Sequence, residues 1–293
     1  MVLIDIPNDI KSDFDGYNYF IDILHTFSFT KNEEVVFDFV NVLFFEANFC
    51  ALFGVILEIG YKNNNQIKII NINNRVETIL RKNGFLTYFG FLPIIDNYNT
   101  SVKYMRFEPS DDMGFNNYIK EQLLGKKDFP AISQMLSREI LRNIFEIYEN
   151  ARTHGKCNLI HTCGQFFPKR INKPLHFTVV DKGINIKENV SQFFGKEVDS
   201  CKAIEWAMIK GNTTKKETSG GLGLAVIFEF IKLNRGRIQI VSANGFYEFR
   251  NDKVTTQLLN NYFDGTIVNI IFNFNDTNYY SLNSELEDLK NIF

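Results

Sequence analysis

The feature that most limits what this chain can become is the end of one long amphipathic pattern, Glu146-Ile-Tyr-Glu-Asn150-Ala-Arg-Thr-His154-Gly155. Ile140, Ile144, Ile147, Tyr148 and Ala151 recur at helical spacing and form an apolar arc that must be buried. Glu139, Asn143, Glu146, Asn150 and His154 fall on the adjoining arc as a polar stripe. Asp128 and Pro130 predict where the helix starts, and Gly155 where it ends. A solvated face would look like this stripe. So would a site that needs a carboxylate and an amide one turn apart, as Glu146 and Asn150 are.

At 293 residues and 45% apolar content, the chain has room for two domains, each with its own core. A net charge of −2 gives no global attraction to nucleic acid or to an anionic membrane. Basic sites must therefore be local, and Lys169-Arg170 and Lys215-Lys216 suit a phosphate better than a duplex. The four cysteines are too scattered for a disulfide framework and fit a reducing compartment. The first residues lack the basic-then-apolar pattern of a signal peptide, so a cytoplasmic location is expected. The most apolar window, Val35 to Ile59, is broken by Asp38, Asn41, Glu46, Asn48 and Glu58, which argues against a membrane span.

Along the chain, strands are expected at Val35 to Phe39, Val42 to Phe45 and Gln66 to Ile72, with helices at Cys50 to Glu58 and Val76 to Lys82. This alternation predicts a small α/β domain on one sheet. The turn-rich, charged stretch Pro109 to Gly114 is the expected boundary, dividing the chain into residues 1–108 and 109–293, with Thr100 to Glu108 a strand or linker. In the second part, strands are expected at Asn158 to Phe167, Leu175 to Val180, Arg237 to Val241 and Gly265 to Phe274. Helices are expected at Ser200 to Lys210 and Leu222 to Leu233, and the polar loop Gly211 to Thr218 has the character of a lid.

Three segments carry a resemblance: Glu146-x-x-x-Asn150-Ala-x-x-His154-Gly155, Asp181-Lys-Gly183-Ile-Asn185 after an apolar run, and Ser219-Gly220-Gly221-Leu222-Gly223-Leu224-Ala225 opening a helix. In this order they resemble the N, G1 and G2 boxes of the GHKL (Bergerat-fold) ATP-binding family, most closely the anti-sigma-factor serine kinases. Residues from about Phe14 to Pro93 resemble a STAS domain. The implied fold class is α/β and α+β: a STAS-like α/β domain followed by a Bergerat-fold α/β sandwich. Ala47 and Asn48 stand where STAS proteins carry a phosphorylated serine, so the module is read as degenerate, for docking or sensing. Kinases of the anti-sigma type commonly dimerise, which makes a homodimer a further expectation.

The resemblance implies ATP and Mg²⁺ as ligands. Asn150 would hold the metal through its amide oxygen, with Glu146 reaching it through a water and acting as general base. Asp181 would accept a hydrogen bond from the adenine amino group, with Gly183 forming the turn beneath the base and Thr266 assisting from a neighbouring strand. Gly220, Gly221, Leu222 and Gly223 would bring backbone N–H groups to the phosphates, and Thr213, Thr214 and Lys215 would complete the lid. Asn185 departs from the family's second glycine, which puts the lid hinge or the rate of turnover in doubt. His154, Cys157, His161 and Cys163 are a competing metal set, but their spacing fits no familiar zinc site. Three functions follow: a nucleotide-dependent ATPase switch for a protein partner, a serine/threonine kinase of the anti-sigma type, and a non-catalytic ATP-sensing scaffold. Neither nucleic acid nor membrane is an expected partner.

Overall fold

A computed structural model describes residues 1–155, 157–209, 211–212, 214 and 225–285. The chain opens with strand β1 (Val2–Asp5), the two-residue strand β2 (Asp9–Ile10) and helix α1 (Phe14–Phe29). Asp13 caps α1 by accepting a hydrogen bond from the Gly16 amide. Tyr17, Phe20, Ile21, Leu24 and Phe27 are buried along one side of α1; their helical spacing is present in the sequence, yet α1 is not among the expectations above. Strand β3 (Glu34–Asp38), the short β4 (Phe44–Phe45), α2 (Cys50–Lys62), β5 (Gln66–Ile70) and α3 (Asn74–Lys82) follow. Strands β1, β3 and β5 form a parallel three-stranded sheet in the order β1-β3-β5, and β2 pairs with β4.

The remaining strands are β6 (Ser101–Phe107), β7 (Ala131–Ile132), β8 (Ile160–Phe166), β9 (Pro174–Asp181), β10 (Arg237–Arg250), β11 (Lys253–Asn273) and β12 (Tyr279–Tyr280). The helices are α4 (Asp112–Ile119), α5 (Gln134–Asn150), α6 (Ile186–Phe194), α7 (Ser200–Met208) and α8 (Ala225–Leu233). Five strands make an antiparallel sheet in the order β10-β11-β9-β8-β6. Strand β6 precedes the expected boundary at residue 108, yet it hydrogen-bonds to β8 as an edge of this second sheet. Helix α5 starts later than Asp128 and Pro130 suggest: Ser133 is the cap, accepting from the Leu136 amide. The reason is a long-range pairing, because Ala131–Ile132 are held in parallel register by Tyr279–Tyr280.

The five-stranded sheet is buried on both faces. Leu175, Phe177 and Val179 of β9 belong to a core shared with Phe115 of α4, Ile140, Ile144 and Tyr148 of α5, and Ile227 and Phe230 of α8. Val180, one residue on, belongs with Tyr104, Cys163, Phe246 and Phe263 to a second core built on Phe20 of α1 and Phe49 and Phe53 at the start of α2. This two-residue alternation between two buried faces explains why Leu175 to Val180 reads as an unbroken apolar run. Each fully buried phenylalanine contributes about 1.5–3 kcal/mol of transfer free energy, so the N-terminal unit is firmly seated on the sheet. No described helix is long and apolar enough to cross a membrane.

Candidate functional site

Asp181 ends β9, opposite Thr266 of β11 on one side and Ile160 of β8 on the other. A strand-end carboxylate would ordinarily meet water, but Asp181 is only 6% exposed. Gly155 lies against its carboxylate, Gly265 against its backbone carbonyl, and Gly183 against Gly155. A Cβ on Gly155 would lie 2.8 Å from Asp181 Oδ1, and one on Gly183 would lie 1.8 Å from the Gly155 carbonyl oxygen. Gly265 adopts φ +146°, and a side chain there would strike the Asp181 carbonyl oxygen. The Ile184 amide donates to the Gly155 carbonyl at 2.7 Å, tying the turn after β9 to the end of the α5 region. Asp181 and Gly183 thus meet Gly155, nearly thirty residues earlier in the sequence, while Thr266 from a distant strand pairs with Asp181.

Burial pushes the Asp181 carboxyl up to about 7, against the opposing pull of the Thr266 backbone amide. Its Oδ1 is buried and has no hydrogen-bond partner among the described residues. An unmatched acceptor of this kind costs free energy unless a donor arrives.

Glu146 and Asn150 stand on one side of α5, both half-buried and about 6 Å apart along the helix axis. After Asn150 the helix widens into a π-helical turn over Ala151–Gly155, a local adjustment that recurs at functional sites. Asn143, placed on the same polar stripe by its spacing, is buried, and its side-chain oxygen accepts from the Ile227 amide at 2.9 Å. It ties α8 to α5 through a backbone donor near the first described residues of α8. Lys215, Gly220, Gly221, Leu222 and Gly223, with Thr213, lie outside the described residues, whereas Thr214 is described and half-buried. Asn185, the departure from the glycine pattern, is the buried cap of α6: it accepts from the Glu188 amide and donates to the Tyr262 hydroxyl. That cap is the physical use of a side chain where the resemblance expects none.

No family model matches the chain, and no curated protein matches its sequence. Among solved structures, a weak likeness is found to the histidine kinase domain of the blue-light activated histidine kinase from Erythrobacter litoralis. It covers 89% of this chain and 95% of that one, at 12% identity and a TM-score of 0.26. Overlap at that level assigns no residue and no activity.

Cys157, His161 and Cys163 of the competing metal set are committed to other work. His161 Nε2 lies 2.9 Å from Glu58 Oε2 on α2, and its Nδ1 lies 3.0 Å from the Tyr104 hydroxyl. Burial lowers the His161 pKa, so the neutral ring donates from Nε2 to Glu58 and accepts from Tyr104 at Nδ1. The Cys163 thiol donates to the Ala47 carbonyl, and the Cys157 thiol to the Ala151 carbonyl.

The position at which the STAS resemblance expects a serine is equally committed. The Ala47 amide donates to Gln165 Oε1 at 2.7 Å, and Asn48 Nδ2 donates to Ser12 Oγ and Thr178 Oγ1. The segment that an external kinase would need to reach is covered by the chain's own sheet.

Gly155, which the resemblance includes only as a motif letter, proves to be the residue against which both Asp181 and Gly183 pack. Its place beside the histidine in the motif is the signal that could have singled it out.

Proposed function

We propose that the chain binds Mg²⁺-ATP at this site and acts as a nucleotide-dependent ATPase switch. The observation that carries the reading is the buried Asp181 Oδ1, which has no hydrogen-bond partner among the described residues and lies against Gly155. A planar base with an exocyclic amino group would supply the missing donor. Carboxylate and amino group form the stronger, charge-assisted kind of hydrogen bond, so Asp181 favours its ionised form once the base is in place. Thr266, beside Asp181 in the sheet, carries a hydroxyl 3.2 Å from Ser242 Oγ and is positioned by it.

The metal would be held by the Asn150 amide oxygen, with Glu146 one turn earlier, and would neutralise phosphate charge. Glu146 would take a proton from an attacking water, a role worth about 10² to 10⁴ in rate. The glycine-rich segment 220–223, which precedes α8, would offer backbone N–H groups to the phosphates.

Calorimetric titration of the full chain with ATP and magnesium tests the reading directly. Binding that weakens at least tenfold in Asp181→Asn supports it, and the absence of heat from any adenine nucleotide overturns it. Incubation with γ-labelled ATP then separates release of free phosphate, expected of a switch, from label on an added STAS-type protein, expected of a kinase.

A further inference from the structure

Lys169 and Arg170 follow β8 at the end of the sheet opposite Asp181. Strand β9 runs from Pro174 at this end to Asp181, which separates the two ends by about 23 Å. A cleft of about 840 Å³ opens here, between the first turn of the N-terminal unit and the sheet. Six of its lining side chains are cationic, Lys11, Lys169, Arg170, Arg235, Arg237 and Arg250, and two are carboxylates. For a chain with net charge −2, this is a strong local concentration of positive charge.

The cations fall into two groups. Arg170 is fixed: it donates to Glu46 Oε1 at 2.8 Å, and its guanidinium lies 3.9 Å from the Phe167 ring centroid and 4.9 Å from that of Phe44. Glu46 is itself buried and accepts from the Ser12 amide, while Gln239 donates to the Ser12 carbonyl, so the floor is rigid and joins both units. Lys11 and Arg237 also have acidic neighbours, Asp9 and Glu248. Lys169, Arg235 and Arg250 differ: they are exposed, and among the described residues none forms an ion pair. Like charges held around a concavity repel one another and focus their field into it, an arrangement that stabilises an entering anion. Its volume is that of a small-molecule pocket and is too confined for a duplex. Planar arginine forks beside a lysine match the oxygens of phosphate.

We propose that this cleft is a second ligand site, taking a small anion with two or more phosphate charges and bracing the N-terminal unit against the five-stranded sheet. The site shares no residue with the one around Asp181. The probe is inorganic pyrophosphate, titrated calorimetrically into the full-length chain at low and at high sodium chloride. Binding is expected, weakening as salt rises because the attraction is between exposed charges. The double variant Lys169→Glu/Arg250→Glu is expected to lose at least tenfold in affinity, while Asp181→Asn keeps it. Both replaced side chains are exposed and form no ion pair among the described residues, so the thermal midpoint of the unliganded double variant is expected not to fall; Arg235→Gln provides the same loss of affinity from a single change. Citrate, similar in charge but built of carboxylates, is expected to bind at least tenfold more weakly. Absence of heat from pyrophosphate, unchanged affinity in the variants, loss in Asp181→Asn alone, or citrate binding as tight as pyrophosphate would each overturn the proposal.

Discussion

Asp181→Asn separates two consequences of one buried carboxyl. The ordinary carboxyl value is 3.8, and burial lifts Asp181 to about 7. At 1.36 kcal/mol per pH unit, this corresponds to about 4 kcal/mol between the two protonation states. The folded value lies above the unfolded one, so between them the folded chain holds more protons than the unfolded chain. Stability contributed by this group is therefore greatest near pH 4, falls as pH rises toward 7, and is flat beyond. Asparagine keeps the shape and removes the titration. Urea unfolding of both proteins from pH 4.5 to 8 isolates the effect, because every other titrating group cancels in the difference. The advantage of the variant is expected to grow with pH, reaching as much as about 4 kcal/mol at pH 8. The asparagine amide oxygen can still accept from the Thr266 amide, so that bond is retained in the variant. A pH-independent difference, or a variant less stable than wild type at pH 8, would refute the assignment of a desolvated carboxyl. For the nucleotide the sign reverses: the variant loses a hydrogen bond to a charged acceptor, about 1.5–3 kcal/mol of binding.

Because nucleotide binding favours ionised Asp181, affinity is expected to rise with pH up to about 7 and to level off above it, with proton release at pH 6 shown by titration in buffers of different ionisation heat. Glu146→Ala is expected to retain nucleotide affinity within a few fold and to lose turnover by about 10² or more; equal steady-state hydrolysis would remove Glu146 as the base. Asn143→Leu leaves the Ile227 amide without its acceptor and is expected to destabilise the fold by about 1–3 kcal/mol in urea unfolding. Gly183→Ala sets a methyl group against the Gly155 carbonyl and is expected to weaken both stability and nucleotide affinity, measured by thermal midpoint and calorimetry.

Local pattern sufficed wherever one element's own spacing decides the outcome. Ile140, Ile144, Ile147 and Tyr148 specify the apolar side of α5; Asn73 and Gly84 bracket α3; the run to Asp181 specifies β9. The tips of the long hairpin were less legible. Strands expected at Arg237 to Val241 and Gly265 to Phe274 are the ends of β10 and β11, whose continuation past residue 241 depends on pairing with each other and on α1 packing against β11.

The amino-acid order by itself determined the polar stripe, the glycine turns and the alternation of α and β, because these follow from periodicity and from which residues tolerate tight backbone approach. Tertiary structure alone decided that β6 belongs to the second sheet, that Ser133 rather than Asp128 caps α5, and that Asn143 serves α8. It alone decided that Asp181 is buried and that six cations gather at the far end of the same sheet. Each of these depends on groups brought together from distant parts of the chain, and burial, which sets the cost of a charge, belongs to the assembled fold rather than to any one residue.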